Sequence, residues 1–274
     1  MEKAKTETTT KNLVFSSVGD KSNVKQWLEG ERNFDLFVCY YGDNECAVKE
    51  QADYYLERKG GKFPNLKHVF DHHREIFDRY DAIYVSDDDI GITTAEINQL
   101  FSIRQEFDLW VLQPAFSLFG KISHSITKRQ PTNYIRYTNF LEVTCPLFRT
   151  DKLTEFLDVY DPNLIGYGVD WWFLHTLGYN LDKRVAIVDA ISCLNPRDDV
   201  KGGTREIASL QSNHKRMKEW DRVSDTYDIK EWPKQTLGVV KLPLAQQLQA
   251  IRQWWPEYYQ IKIINRIKRK LNLG

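Results

Sequence analysis

The sequence predicts an α/β fold with a mostly parallel central sheet flanked by helices. Short apolar runs rich in Val, Ile, Phe and Tyr alternate along the chain with segments of helical period and length. Several runs stop at glycine, aspartate or asparagine, the residues that turn a chain out of a strand. A length of 274 residues suits one large domain or two small ones, each able to bury a core. Neither a repeat nor a low-complexity linker interrupts residues 11–235, so one domain is the simplest reading. The polar, Thr-rich residues 1–10 are expected to be disordered, and 236–274 to form a helical tail.

Taken in order, residues 13–18 and 35–41 read as strands, with a short helix at 24–29 between them. Residues 47–59 read as a helix stopped by Gly60-Gly61. A helix is expected over 68–80, with Val69, Ile76, Phe77 and Tyr80 as its apolar stripe, leading into a strand at 81–86. Then come a helix at 94–107 and strands at 109–112 and 140–149. Thr150 is a candidate cap for a helix at 151–160. A helix at 170–177 and a strand at 184–188 complete the pattern.

The chain carries 38 Lys+Arg and 38 Asp+Glu, a formal net charge of zero. Nothing in that balance draws a polyanion from a distance, so a dedicated nucleic-acid binder is excluded. Cys39, Cys46, Cys145 and Cys193 have no zinc-ribbon or CxxC spacing and are read as reduced core thiols. The opening residues, MEKAKTETTT, lack the apolar stretch of a secretory signal, and no run reaches the roughly 18 apolar residues of a membrane span. A cytoplasmic location is the expectation.

The feature richest in chemistry is Asp87-Asp88-Asp89, directly after the strand expected at 81–86. In open α/β sheets ligands bind beyond the carboxyl ends of strands. Two carboxylates at i and i+2 of an extended segment point the same way and can share a hard cation. Such a cation bridges the phosphates of a nucleotide and neutralises a departing diphosphate. The plain alternative is a solvated acidic turn capping a helix that starts near Thr93 or Thr94. Two chemistries use the geometry: nucleotide-sugar transfer, and phosphatases of the haloacid-dehalogenase type, with Asp87 as nucleophile. The phosphatase arrangement places its acids on the opening strand, whereas two strands precede them here.

Six segments extend the comparison. They are residues 33–42 (NFDLFVCYYG), 80–90 (YDAIYVSDDDI), 112–115 (LQPA) with 123–129 (SHSITKR), 139–148 (NFLEVTCPLF), 166–170 (GYGVD) and 185–189 (VAIVD). Their succession, over residues 12–203, resembles a widespread plant and bacterial family long known as a domain of unknown function and grouped with GT-A-type glycosyltransferases. The resemblance implies a GT-A-like, Rossmann-type domain that binds a nucleotide sugar. It implies Asp87 and Asp89 as ligands of Mn²⁺ or Mg²⁺, and Asp170 as the general base of an inverting transfer. Where the family places a metal-ligating His this chain has Asn195, whose carbonyl suits a hard ion less strongly.

The residues themselves agree on plausibility. Gly166 and Gly168 let backbone approach a ligand, and Asp170 opens a helix, either as catalyst or as a plain N-cap. Asp43 is a candidate for the nucleoside or a turn residue, and Asp88 is grouped with it on the donor side. Arg129 is a phosphate clamp or a solvated loop residue. Near it, His124 lies in the same polar stretch. Glu142 faces the acceptor or points outward from its strand, and Trp171 of the Trp171-Trp172 pair forms a wall or stacks on a sugar. His72 and His73 read as helix surface.

After Glu257 there is no acid, while Lys262, Arg266, Lys268, Arg269 and Lys270 follow. Ile261, Ile263, Ile264, Ile267 and Leu271 fall opposite the cations on a helical wheel, preceded by Trp254, Trp255, Tyr258 and Tyr259. That pattern suits an anionic membrane surface, or else a helix docked on the domain. The expected partners are therefore a nucleotide-sugar donor and a glycan or lipid-linked acceptor. A non-catalytic nucleotide-sugar or glycan-binding module is the remaining alternative.

Overall fold

The computed structural model describes residues 11–178, 181, 183–198, 207 and 210–270. The expected disorder of 1–10 lies outside the described residues. The strands are β1 (Asn12–Val18), β2 (Asp35–Tyr40), β3 (Tyr54–Glu57), β4 (Ala82–Val85), β5 (Val111–Phe116), β6 (Asn133–Thr138), β7 (Leu147–Arg149), β8 (Val185–Cys193) and β9 (Thr236–Lys241). They form one nine-stranded sheet in the order β3-β2-β1-β4-β7-β5-β8-β6-β9. β7 runs antiparallel to β4 and β5, and β6 to β8 and β9; the other seven of the nine share one direction. The sheet is mostly parallel, as expected.

The helices are α1 (Lys62–His72), α2 (Arg74–Phe77), α3 (Thr94–Glu106), α4 (Thr150–Val159), α5 (Val169–Thr176), α6 (Asn213–Tyr227) and α7 (Leu244–Lys270). Alternate strand residues feed two cores. Leu13, Phe15, Phe37 and Cys39 join the face covered by α1, α4 and α5, whereas Val14, Leu36 and Val38 join the face covered by α3. Burial on both faces explains why these strands are continuously apolar. All four cysteines are buried thiols.

Several elements differ from expectation. Residues 47–59 are not a helix: a 3-10 turn at Lys49–Gln51 leads into β3. Tyr54 stacks on Phe37 at 5.6 Å and Tyr55 on Tyr40 at 6.4 Å across the parallel pairing, and this aromatic contact outweighs local helical preference. Gly60-Gly61 introduces α1, which begins at Lys62 and breaks at His73 (φ −144°, ψ 44°) before α2. Of the strand expected at 140–149 only β7 forms. Upstream, Pro146 has no N–H to give, and the Glu142 amide bonds the Gln113 side chain (2.6 Å) rather than a neighbouring strand.

Arg149, not Thr150, occupies the N-cap position of α4, while α3 carries a complete capping box between Thr93 and Glu96. β9 pairs with β6, so the sheet takes in residues beyond 235. The tail helix runs unbroken from Leu244, with Pro256 and the four aromatics inside it. Among the described residues no helix is long and apolar enough to cross a membrane.

Candidate active site

The acidic triplet leaves the carboxyl end of β4 beside its neighbour β1. The Asp87 amide donates to the Thr144 carbonyl (2.9 Å), so the turn is tied to the loop that follows Glu142. Asp87 and Asp88 turn to different partners. Asp87, 44% exposed, meets the ammonium of Lys62 at 2.7 Å. Asp88, placed on the donor side by the sequence, turns inward instead and accepts the Gly19 amide (2.8 Å). Asn23 binds the carbonyls of Asp88 and Asp89, fixing the turn from the β1 side.

Two backbone hydrogen bonds of 2.9 Å join Gly91 to Leu194, which brings the segment bearing Asn195 against the triplet's exit. Asn195 is buried, its carbonyl accepting the Lys121 amide at 2.7 Å. Gly120 makes that approach possible: a Cβ there would lie 2.6 Å from the Asn195 carbonyl oxygen. The side-chain donors on offer are oxygens, Asp87, Asp89 and the Asn195 amide. That set suits Mg²⁺ or Mn²⁺ better than a softer metal. Among the described residues no group of three or more His, Cys, Asp or Glu is arranged to hold a metal.

A cleft of about 390 Å³ adjoins Gly91 and Leu194, lined also by Ser117, Arg129 and Ser192. None of the three aspartates lines it. Arg129 uses its Nε on the Asp189 carbonyl (3.3 Å). A buried ion pair fixes the loop before β6: Arg136 Nε and Nη2 meet the Asp189 carboxylate at 2.6 and 3.1 Å. The same guanidinium binds the carbonyls of Ile126 and Lys128.

A second cluster contains Glu142, Asp170, His124 and Lys234. Gly168 is the N-cap of α5, so Asp170 lies in the first turn rather than capping it, and its Oδ1 accepts the Trp171 amide (3.0 Å). Burial pushes the Asp170 carboxyl up to about 7, and the Glu142 charge adds to the rise while Lys234 opposes it. Glu142 is likewise pushed up to about 7 by burial, against hydrogen bonds from Thr127 (2.9 Å) and the His124 amide (3.2 Å). Burial and the adjacent Lys234 ammonium lower His124 to about 4. Lys234 lies 2.7 Å from His124 Nδ1; an ammonium can only donate, so Nδ1 accepts and Nε2 carries the ring proton.

Other expected residues have more ordinary roles. Gly168 (φ 89°) is required because a Cβ would strike the Trp220 ring at 2.1 Å, a packing constraint rather than a ligand approach. Gly166 has φ 79° and faces Ile207. Trp171 is 3% exposed and packs between Phe140 (4.8 Å) and Trp232 (4.9 Å), so it is wall rather than open platform. Asp43 is 88% exposed and pairs with Lys59. His72 stacks on His68 at the surface of α1. Sequence reasoning missed Lys62 and Lys234; each acts on groups more than 20 positions away, beyond any local pattern.

The fold is GT-A-like, a mostly parallel sheet flanked by helices. No family model matches the chain, and no curated protein matches it. Solved structures do. TarS 1–349 of S. aureus in complex with UDP-GlcNAc superposes with a TM-score of 0.54 at 13% identity, over 92% of this chain and 73% of that one. GalNAc-T7 with UDP, GalNAc and Mn²⁺ gives 0.53 at 10% identity, over 80% of this chain and 48% of that one. At these identities the likeness is one of fold.

Proposed function

We propose that this chain is a glycosyltransferase that moves a sugar from a nucleotide-diphosphate donor to a hydroxyl of a glycan or lipid-linked acceptor, with inversion. The observation that carries this reading is a GT-A-like fold in which an acidic triplet follows β4 and a buried carboxylate, Asp170, sits in the first turn of α5. The triplet follows the fourth strand rather than the first, which favours transfer over the phosphatase alternative.

Asp87 and Asp89, with Asn195 beyond the Gly91–Leu194 bridge, would hold Mn²⁺ or Mg²⁺, and a bound ion supplies charge neutralisation at the departing diphosphate. That GalNAc-T7 was solved with UDP, GalNAc and Mn²⁺ supports that assignment. Asp170 takes the acceptor's proton as the oxygen–anomeric carbon bond forms and the bond to the diphosphate breaks, its electrons leaving with the nucleotide. A carboxylate near 7 is well matched to this work at neutral pH. Glu142 and His124 Nε2–H line the acceptor side, and Arg129 reaches the donor cleft.

The resemblance to the plant and bacterial family of unknown function points the same way. The lipid-linked acceptor rests on α7, which exposes Leu244, Leu248, Trp255, Tyr259 and Ile263 beside Lys262 and Arg266. Aromatic and basic side chains on one helix suit the headgroup region of an anionic membrane, here its cytoplasmic face. A screen of UDP-, GDP- and CMP-sugars for Mn²⁺-dependent thermal stabilisation and slow hydrolysis tests the reading. Binding without turnover favours the non-catalytic module, and no donor binding ends the transferase proposal.

A further inference from the structure

Trp171, the residue after Asp170, is closed over by Phe140 and Trp232. The open aromatic surface lies one step further out. Tyr167, three residues before Asp170, is 45% exposed. Trp232, which meets the Trp171 ring at 4.9 Å and 80°, is half-buried. Glu231 joins the two: it precedes Trp232 in the chain and accepts the Tyr167 hydroxyl at 2.9 Å. The loop before α5 and the segment between α6 and β9 thus bring two aromatic rings and an exposed carboxylate together beside Asp170.

Both rings are held in place. Tyr167 sits between two left-handed glycines, Gly166 (φ 79°) and Gly168 (φ 89°), and its ring packs edge-to-face with Trp220 at 6.1 Å. Trp232 Nε1 donates to the Asn139 carbonyl (3.0 Å). Rings ordered in advance lose little freedom when a ligand is laid on them.

The surrounding charge selects among ligands. Partial burial, the bond to Glu231 and the charges of Glu231, Asp170 and Asp221 push the Tyr167 phenol up to about 12. The nearby Lys234 ammonium turns inward, bonded to His124 and lying 4.2 Å over Phe140. A phosphate arriving at Tyr167 would meet acids. A neutral sugar ring would not: its C–H face suits the electron-rich face of an aromatic ring, and its hydroxyls donate to a carboxylate.

We propose that Tyr167 and Trp232, bridged by Glu231, form the platform on which a neutral sugar ring of the acceptor is laid. The inference rests on the transferase reading above and narrows its acceptor to a saccharide. Tyr167 and Trp232 are specificity-determining residues; neither takes part in the proton transfer.

The test is saturation-transfer NMR on the full chain with three neutral trisaccharides, of glucose, N-acetylglucosamine and mannose, and with trilysine as a cationic probe. At least one trisaccharide should bind the wild type, with a Kd of roughly 1 mM. Tyr167→Ala should weaken that binding at least about tenfold, while Tyr167→Phe, which keeps the ring, should stay within about threefold. Glu231→Gln, a change at an exposed side chain, should also weaken it, and keeps the proposal testable if Tyr167→Ala fails to fold by circular dichroism. Binding undiminished in folded Tyr167→Ala or in Glu231→Gln would overturn the platform, as would a loss in Tyr167→Phe equal to that in Tyr167→Ala. Trilysine binding in place of every trisaccharide would overturn it too. If a nucleotide sugar stabilises the chain but no trisaccharide binds, this proposal falls alone. If a trisaccharide binds through Tyr167 but no nucleotide sugar does, the transferase reading falls, and the acceptor role of the platform falls with it.

Discussion

Substituting Asp170 by Asn removes a buried charge while keeping an oxygen to accept the Trp171 amide. In the folded chain this carboxyl is raised to about 7 from an ordinary 3.8, a gap of about 3 pH units. An acid raised on folding holds its proton more tightly in the native state. Its contribution is therefore full below the unfolded value and is lost as pH rises toward the folded one, between about 4 and about 7. At about 1.4 kcal/mol per pH unit the loss over that window is of order 4 kcal/mol, of which about 2–3 kcal/mol falls between about pH 5 and about pH 8. Asp170→Asn should escape that loss. It should melt above wild type at about pH 8, and its advantage should grow by roughly 5–10 °C on going from about pH 5 to about pH 8. Glu142, also raised to about 7, is present in both proteins, so the difference between them is the quantity to read. Thermal unfolding followed by circular dichroism at the two pH values is the assay. The same variant should lose about 10²–10⁴ of any transferase rate. An advantage that does not widen with pH, or an Asn variant less stable than wild type at the higher pH, would refute the reasoning.

Further outcomes follow from packing, charge and the tail. Gly168→Ala should cost about 1–3 kcal/mol or more by urea titration, since φ is 89° and the new methyl meets Trp220; unchanged stability would contradict the fit. Arg136→Met should cost about 3–5 kcal/mol because Asp189 is left as an uncompensated buried charge, a loss absent if the pair were solvated. A 1–243 truncation keeps all nine strands and removes α7, and should no longer co-sediment with anionic vesicles that pellet the full chain. Equal pelleting of the two would remove the membrane role from α7.

The parts of this protein that were legible in its sequence are those set by local pattern. Val14, Phe15, Leu36 and Phe37 lie in strands buried on both faces, so the apolar run itself marks the element. The turn into Asp87 was readable because an apolar strand stops abruptly at three acids. The segment 47–59 was misread because Tyr54 and Tyr55 are held as a strand by Phe37 and Tyr40, partners on another element. Residues 140–146 were misread because their apolar side chains are buried in a loop, and apolar periodicity cannot separate that from a strand. Asp170 is a candidate through resemblance, whereas Lys234 is invisible to local pattern: that residue follows α6 and reaches back 110 positions to His124. Lys62 escaped for the same reason, its ligands lying on β4's exit and the loop before β7.

The most direct test of the account is donor binding by wild type and Asp89→Ala. UDP-sugar, GDP-sugar and CMP-sugar are added with Mn²⁺, and both thermal stabilisation and release of nucleotide are followed. The account predicts that one donor stabilises the wild type in a Mn²⁺-dependent way and is slowly hydrolysed, and that Asp89→Ala loses both effects while folding normally. Stabilisation and hydrolysis that persist undiminished in Asp89→Ala would contradict it.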